Sequence, residues 1–203
     1  MRKLTAALCA AAMAVSMAVT ALAAPSITTI APETLAEVTT SVAIPEGKTV
    51  VVQAPVPASY KSKEAAEVVT KLNDDTTTIT TAEILSVLKV DTTKEIKTES
   101  GTVIDPTAYE PITKFAELAI TDGTTAEYSV DGKVVSVKAT VTVEALKDLT
   151  KEDLKNIVLM QIDPETGEVY FIEISEDDFD PATGKITATF PCMGPFTVME
   201  KAA

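Results

Sequence analysis

Histidine and tryptophan are absent from this chain of 203 residues, and its one arginine is Arg2. Without histidine there is no Ser–His or Cys–His nucleophile pair and no imidazole-ligated metal. Without arginine beyond residue 2, no bidentate clamp for phosphate or carboxylate can be built, and without tryptophan the strongest stacking surface for sugars or bases is missing. Positive charge is also short: 17 lysines and arginines against 30 acids leave a net charge of −13. Nucleic acid and anionic lipid both need clustered positive charge, so neither is an expected partner. Cysteine occurs twice, as Cys9 and Cys192.

What is present begins with an export signal. Arg2 and Lys3, an apolar run over residues 4–22 and the small-residue site Ala21-Leu22-Ala23 make the three-part pattern of a secretory signal peptide over residues 1–23, with Ala24 opening the mature chain. The run is Ala-rich and no stop-transfer cluster follows, which separates it from a retained membrane helix. Cys9 follows Leu8, where a lipoprotein signal carries a small residue. The expected product is therefore secreted or held in the cell envelope, with no membrane span of its own. Cleavage leaves Cys192 as the sole cysteine, so no internal disulfide is expected even in an oxidising compartment. About 180 residues remain, enough for one sizeable domain or two small ones.

The strongest folding signal is a repeated corner, Asp163-Pro-Glu-Thr-Gly-Glu and Asp180-Pro-Ala-Thr-Gly-Lys. Proline presets the first turn angle, the preceding Asp can accept from the amides just beyond it, and Gly167 and Gly184 stand where the chain needs a left-handed residue. Residues 156–162 and 169–174 are apolar almost without break, which fits strands covered on both faces. Residues 186–190 and 196–199 alternate apolar and polar, which fits half-buried strands. Residues 133–143 alternate in the same way, after a strand over 126–130 and a tight Asp131-Gly132 turn.

Upstream the period changes. Ala65, Val68, Val69 and Leu72 share one face of a helix over residues 61–72. A second helix carries Ile84, Leu85, Val87 and Leu88 behind Thr80 and Glu83 at capping-box spacing. Residues 48–53 read as a strand at a sheet edge, and the polar stretch 91–111 as a loop. The expected fold is α+β: an antiparallel β-sandwich or open barrel over residues 110–203, preceded by an extended segment and two short helices over residues 24–109.

Sites of chemistry are fewer. Glu176, Asp177, Asp178 and Asp180 gather oxygen ligands before the second corner and are the candidate for calcium. An EF-hand is excluded, since counting from Asp178 puts Thr183 and Thr189 where glycine and glutamate are required. Ser86-Val-Leu-Lys89 has the spacing of a serine nucleophile with its lysine, but it falls inside a helix and lacks the partner motifs. Cys192 has no basic neighbour to favour thiolate and reads as a small buried hydrophobe. Asn73 and Asn156 are the only asparagines an isopeptide bond could use, and no lysine or acid is marked out to join them.

The two corners, with Val169-Tyr-Phe-Ile, Lys185-Ile-Thr and Gly194-Pro-Phe-Thr-Val beside them, resemble the terminal β-rich module of uncharacterised exported bacterial proteins. These are turn and strand residues, so the resemblance implies fold and compartment and carries over no active site. The expected function is a secreted or envelope-associated binding or structural module. It would meet an extracellular protein or glycan through loops or a sheet edge, the alternative being a carboxylate-based extracellular hydrolase.

Overall fold

Both corners close as their residues dictate. The Gly167 amide donates to the Asp163 carbonyl at 2.8 Å and the Gly184 amide to that of Asp180 at 2.9 Å. The Asp side chains accept from the amides of Glu165 at 2.7 Å and Ala182 at 3.0 Å. The two glycines stand at φ +81° and +69°.

A computed structural model of the chain describes residues 27–35 and 37–202. The signal peptide expected over residues 1–23 lies outside them. The longer elements are β1 (Thr49–Gln53), α1 (Lys63–Asn73), α2 (Thr81–Val87), β2 (Ala116–Thr121), β3 (Val137–Thr142), β4 (Ile157–Ile162), β5 (Val169–Glu173), β6 (Lys185–Phe190) and β7 (Gly194–Lys201). An eight-stranded sheet runs Glu33–Thr34, β1, β2, β7, β4, β5, with Tyr109–Pro111 added to β7 and Ala126–Glu127 to β2. A four-stranded sheet runs Phe179–Asp180, β6, β3, Val38–Thr40. Every strand pairing in both is antiparallel. The described residues thus form a β-rich α+β fold with two α-helices.

The large sheet is covered on both faces, and β4 shows why. Ile157 and Leu159 point into one apolar cluster, shared with Val137, Ala139, Val141, Ile186, Ala188 and Phe190 of the small sheet. Val158, Met160 and Ile162 point the other way, into a cluster with Ala65, Val68, Val69, Ile84 and Leu85 of the helices. All six residues of β4 are buried, as its almost unbroken apolar run requires, and the one polar side chain, Gln161, donates to the Cys192 carbonyl at 2.7 Å. The helices begin where their caps predict. Ser62 accepts from the Ala65 amide, and Thr80 forms a capping box with Glu83.

Four expectations are refined. Thr197 and Met199 of β7 are buried too, because the helices cover the face that alternation assigned to water. Met199 joins the helix-side cluster, and Thr197 donates to the Thr113 carbonyl at 2.6 Å. Residues 112–120 read as a strand in the sequence, but the strand starts at Ala116, because the Thr113 hydroxyl takes the Val198 amide at 2.9 Å and interrupts the ladder. The 91–111 stretch holds a small hairpin, Ile96–Lys97 against Val103–Ile104, and the strand Tyr109–Pro111. Strand β1 is one step in from the edge, with Glu33–Thr34 outside it. Strand pairings link the segments before and after Tyr109, since β1 pairs with β2 and Val38–Thr40 with β3.

Gly184 carries two constraints, its positive φ and a close approach, since a Cβ there would sit 2.5 Å from the Val143 carbonyl oxygen. Gly123, at φ +93°, faces open space. Gly184→Ala is expected to lower the unfolding free energy by about 2 kcal/mol or more and Gly123→Ala by about 1 kcal/mol, read from urea denaturation.

Candidate functional site

A groove with room for a ligand lies where the outer edges of the two sheets come together. At the end of β5, Glu173 Oε2 accepts from the hydroxyls of Thr98 at 3.2 Å and Thr102 at 2.9 Å, and from that of Ser100. These hydroxyls sit on the Ile96–Lys97/Val103–Ile104 hairpin. It docks on the outer edge of β5 through the Glu99 amide, which donates to the Phe171 carbonyl at 2.9 Å. Across from this edge runs β6. The short strand Phe179–Asp180 covers its outer side only at Lys185 and Ile186, and among the described residues no strand pairs with Thr187, Ala188 or Thr189 on that side. The space left open is a groove of about 510 Å³. Glu99, Glu173 and Asp178 line it against Lys138 alone, with serine and threonine hydroxyls and no aromatic ring.

Of the four acids expected to hold calcium, the structure brings only Asp178 to this groove. Glu176, Asp177 and Asp178 form one 3₁₀ turn capped by Ser175. Glu176 faces a smaller neighbouring hollow of about 350 Å³ with Lys155 and Glu173. Asp180 is turned into its own corner, accepting from the Thr183 hydroxyl at 2.6 Å, and this bond with the Ala182 amide holds its carboxyl below the usual range. Among the described residues no three His, Cys, Asp or Glu side chains are grouped so as to hold a metal ion.

The other marked residues have occupied partners. Lys89 of the Ser86-to-Lys89 spacing bonds Glu64 at 2.5 Å. Asn73 clasps the Phe115 backbone, donating to its carbonyl at 2.9 Å and accepting from its amide at 2.8 Å. Cys192 is buried, and burial, followed by the nearby Asp163, Glu168 and Glu99 carboxylates, pushes its thiol far up from the ordinary value, away from nucleophilic thiolate. Its carbonyl accepts from Gln161 Nε2 at 2.7 Å.

One site escaped the sequence reading. Glu117, in the middle of β2, is 0% exposed and is met only by uncharged donors. Gln53 Nε2 reaches it at 2.7 Å, the Val56 amide at 3.1 Å, the Tyr60 hydroxyl at 2.7 Å and the Tyr128 hydroxyl at 3.1 Å. Tyr60 and Tyr128 pack edge to face, with ring centroids 5.5 Å apart. Burial, then the Glu117 charge, pushes the Tyr60 phenol far above its ordinary value. The carboxylate thereby staples the segment through Pro57–Ser59 onto the large sheet. The available signal was a lone acid in the apolar run Phe115-Ala-Glu-Leu-Ala-Ile, where a strand interior has no water to receive it.

Comparison with protein-family models, curated proteins and solved structures finds no match, so the chemistry of the site rests on its geometry. No helix among the described residues is long and apolar enough to cross a membrane.

Two outcomes follow. Glu117→Gln keeps the shape but turns an N–H₂ toward the phenols and amide, so the unfolding free energy should drop by about 2 kcal/mol, and protease should cut first between Gln53 and Tyr60. On acidification, the depressed turn carboxylates set the sign. Asp91, held by Thr93 and Lys94, falls from 3.8 to about 2 in the folded chain, and Asp105, Asp122, Asp153 and Asp180 are lowered in the same direction. Each adds stability above its unfolded value and loses it as pH falls through the lowered one. The melting temperature should therefore hold above pH 5 and fall between about pH 4 and about pH 2, followed by circular dichroism.

Proposed function

We propose that this chain is a secreted or cell-envelope-associated binding module that works by contact, with its two sheets stacked as a sandwich and the groove between β5 and β6 as its working surface. The observation that carries the reading is the uncovered side of β6 at Thr187–Ala188–Thr189 opening onto a hydroxyl-lined groove of about 510 Å³. A strand edge with free amides and carbonyls is a ready docking line. The bonded cluster around Glu173 keeps the opposite wall fixed, which lowers the ordering cost of a guest. Export is supported by the pattern over residues 1–23, and the acidic balance disfavours nucleic acid and anionic lipid.

The hydrolase reading keeps one observation of its own, namely that Glu99, Glu173 and Asp178 line a common groove. Against it, Glu173 already spends one oxygen on hydroxyls of its own chain.

Expressed from its own start codon in a secreting bacterial host, the protein should be recovered outside the cytoplasmic membrane with Ala24 at its amino terminus by intact mass. Screened against broad glycosidase, esterase and peptidase substrates, it should show no turnover that Glu173→Gln abolishes. Retention in the cytoplasm, or Glu173-dependent turnover, would sink the reading.

A further inference from the structure

We propose, resting on the contact reading above, that the groove takes an extended polypeptide segment bearing lysine or arginine side chains, laid beside β6 as an added strand. Two independent observations converge on that occupant. The first is the backbone. Phe179–Asp180 ends its pairing at Ile186, and beyond it the amides and carbonyls of Thr187 and Thr189, alternating with those of Ala188 that face β3, have no strand partner among the described residues on the groove side. A row of alternating donors and acceptors at strand spacing is matched by another extended backbone and by no small ligand.

The second observation is charge. Glu99 and Glu173 on one wall and Asp178 at the rim face a single cation, Lys138. All three acids are at least partly open to solvent, so each can meet an incoming cation without the cost of deep burial. Successive side chains of an added strand alternate between its faces, so every second one is directed to the same wall. A sequence with a cation at alternate positions therefore places each charge among these carboxylates. The chain as a whole, at −13 with its one arginine at residue 2, draws such a segment in and repels an acidic one. A glycan fits less well, because no aromatic ring lines the groove to stack on a sugar face.

The test uses backbone amide shifts of the purified full chain, titrated with peptides of about ten residues alternating threonine with lysine, with glutamine or with glutamate, and with a chitin oligosaccharide. The lysine peptide should move the amides of Thr187, Ala188, Thr189 and Glu173. It should bind at least about tenfold less tightly to the triple variant E99Q/E173Q/D178N and to Thr189→Lys, and should weaken as salt is raised from about 50 to about 500 mM. Thr189 is exposed, so its substitution adds a repelling charge without touching the core. Equal binding of the glutamine peptide at the same amides would overturn the charge preference while leaving the contact reading intact. Preferential binding of the oligosaccharide would replace the polypeptide as occupant. Failure of every probe to move these amides would overturn the proposal and the contact reading of this edge together.

Discussion

The fold depends on a sheet whose centre is dry on both sides. A strand buried on both faces needs apolar side chains at nearly every position and a hydrogen-bonded neighbour on each flank; β4 is apolar at all positions but Gln161, with β5 on one side and β7 on the other. Each fully buried Leu, Ile or Met contributes about 1.5–3 kcal/mol relative to exposure, and here six consecutive positions are buried without an interruption. The helices and the small sheet are the two lids that make this possible. The helical lid depends on this contact, since α1 and α2 are short and an isolated helix of that length is marginal in water. The three layers hold one another in place.

The same dryness makes the polar residues inside the sheet informative. Thr113, Thr197 and Glu117 all lie where water cannot reach, and each is tied to backbone or side-chain partners within 2.6 to 3.1 Å. Glu117 differs in being a carboxylate surrounded by neutral donors, so its bonds stabilise the charge by direction instead of by an opposite charge. Glu173 shows the surface version of this arrangement, a carboxylate fixed by hydroxyls of a neighbouring hairpin. One acid fastens a segment to the sheet. The other shapes the wall of the groove.

Local chemistry was legible wherever it decides local structure. The Asp-Pro-x-Thr-Gly corners, the Asp131-Gly132 turn with both residues at positive φ and the Thr80–Glu83 capping box all fold as their residues require, because each is closed by bonds spanning five residues or fewer. The apolar run of β4, broken only at Gln161, announced its double burial as well. The alternation in β7 misled, since Thr197 reads as a solvent residue until Thr113, 84 positions away, is seen to receive its hydroxyl. The acids marked before the second corner were chosen by proximity in sequence, whereas the groove collects Glu99, Glu173 and Asp178 from three separate elements.

Sequence alone determined the turns, the helix starts, the antiparallel character of the sheets and the excluded chemistries, since these follow from backbone preference, side-chain period and residue types that are simply not there. Tertiary structure alone decided which strand edges are left uncovered, which carboxylates share a groove and where a buried acid finds its donors. Those outcomes depend on pairings between segments tens of residues apart, whose order no local pattern encodes, and the groove between β5 and β6 is made of nothing else.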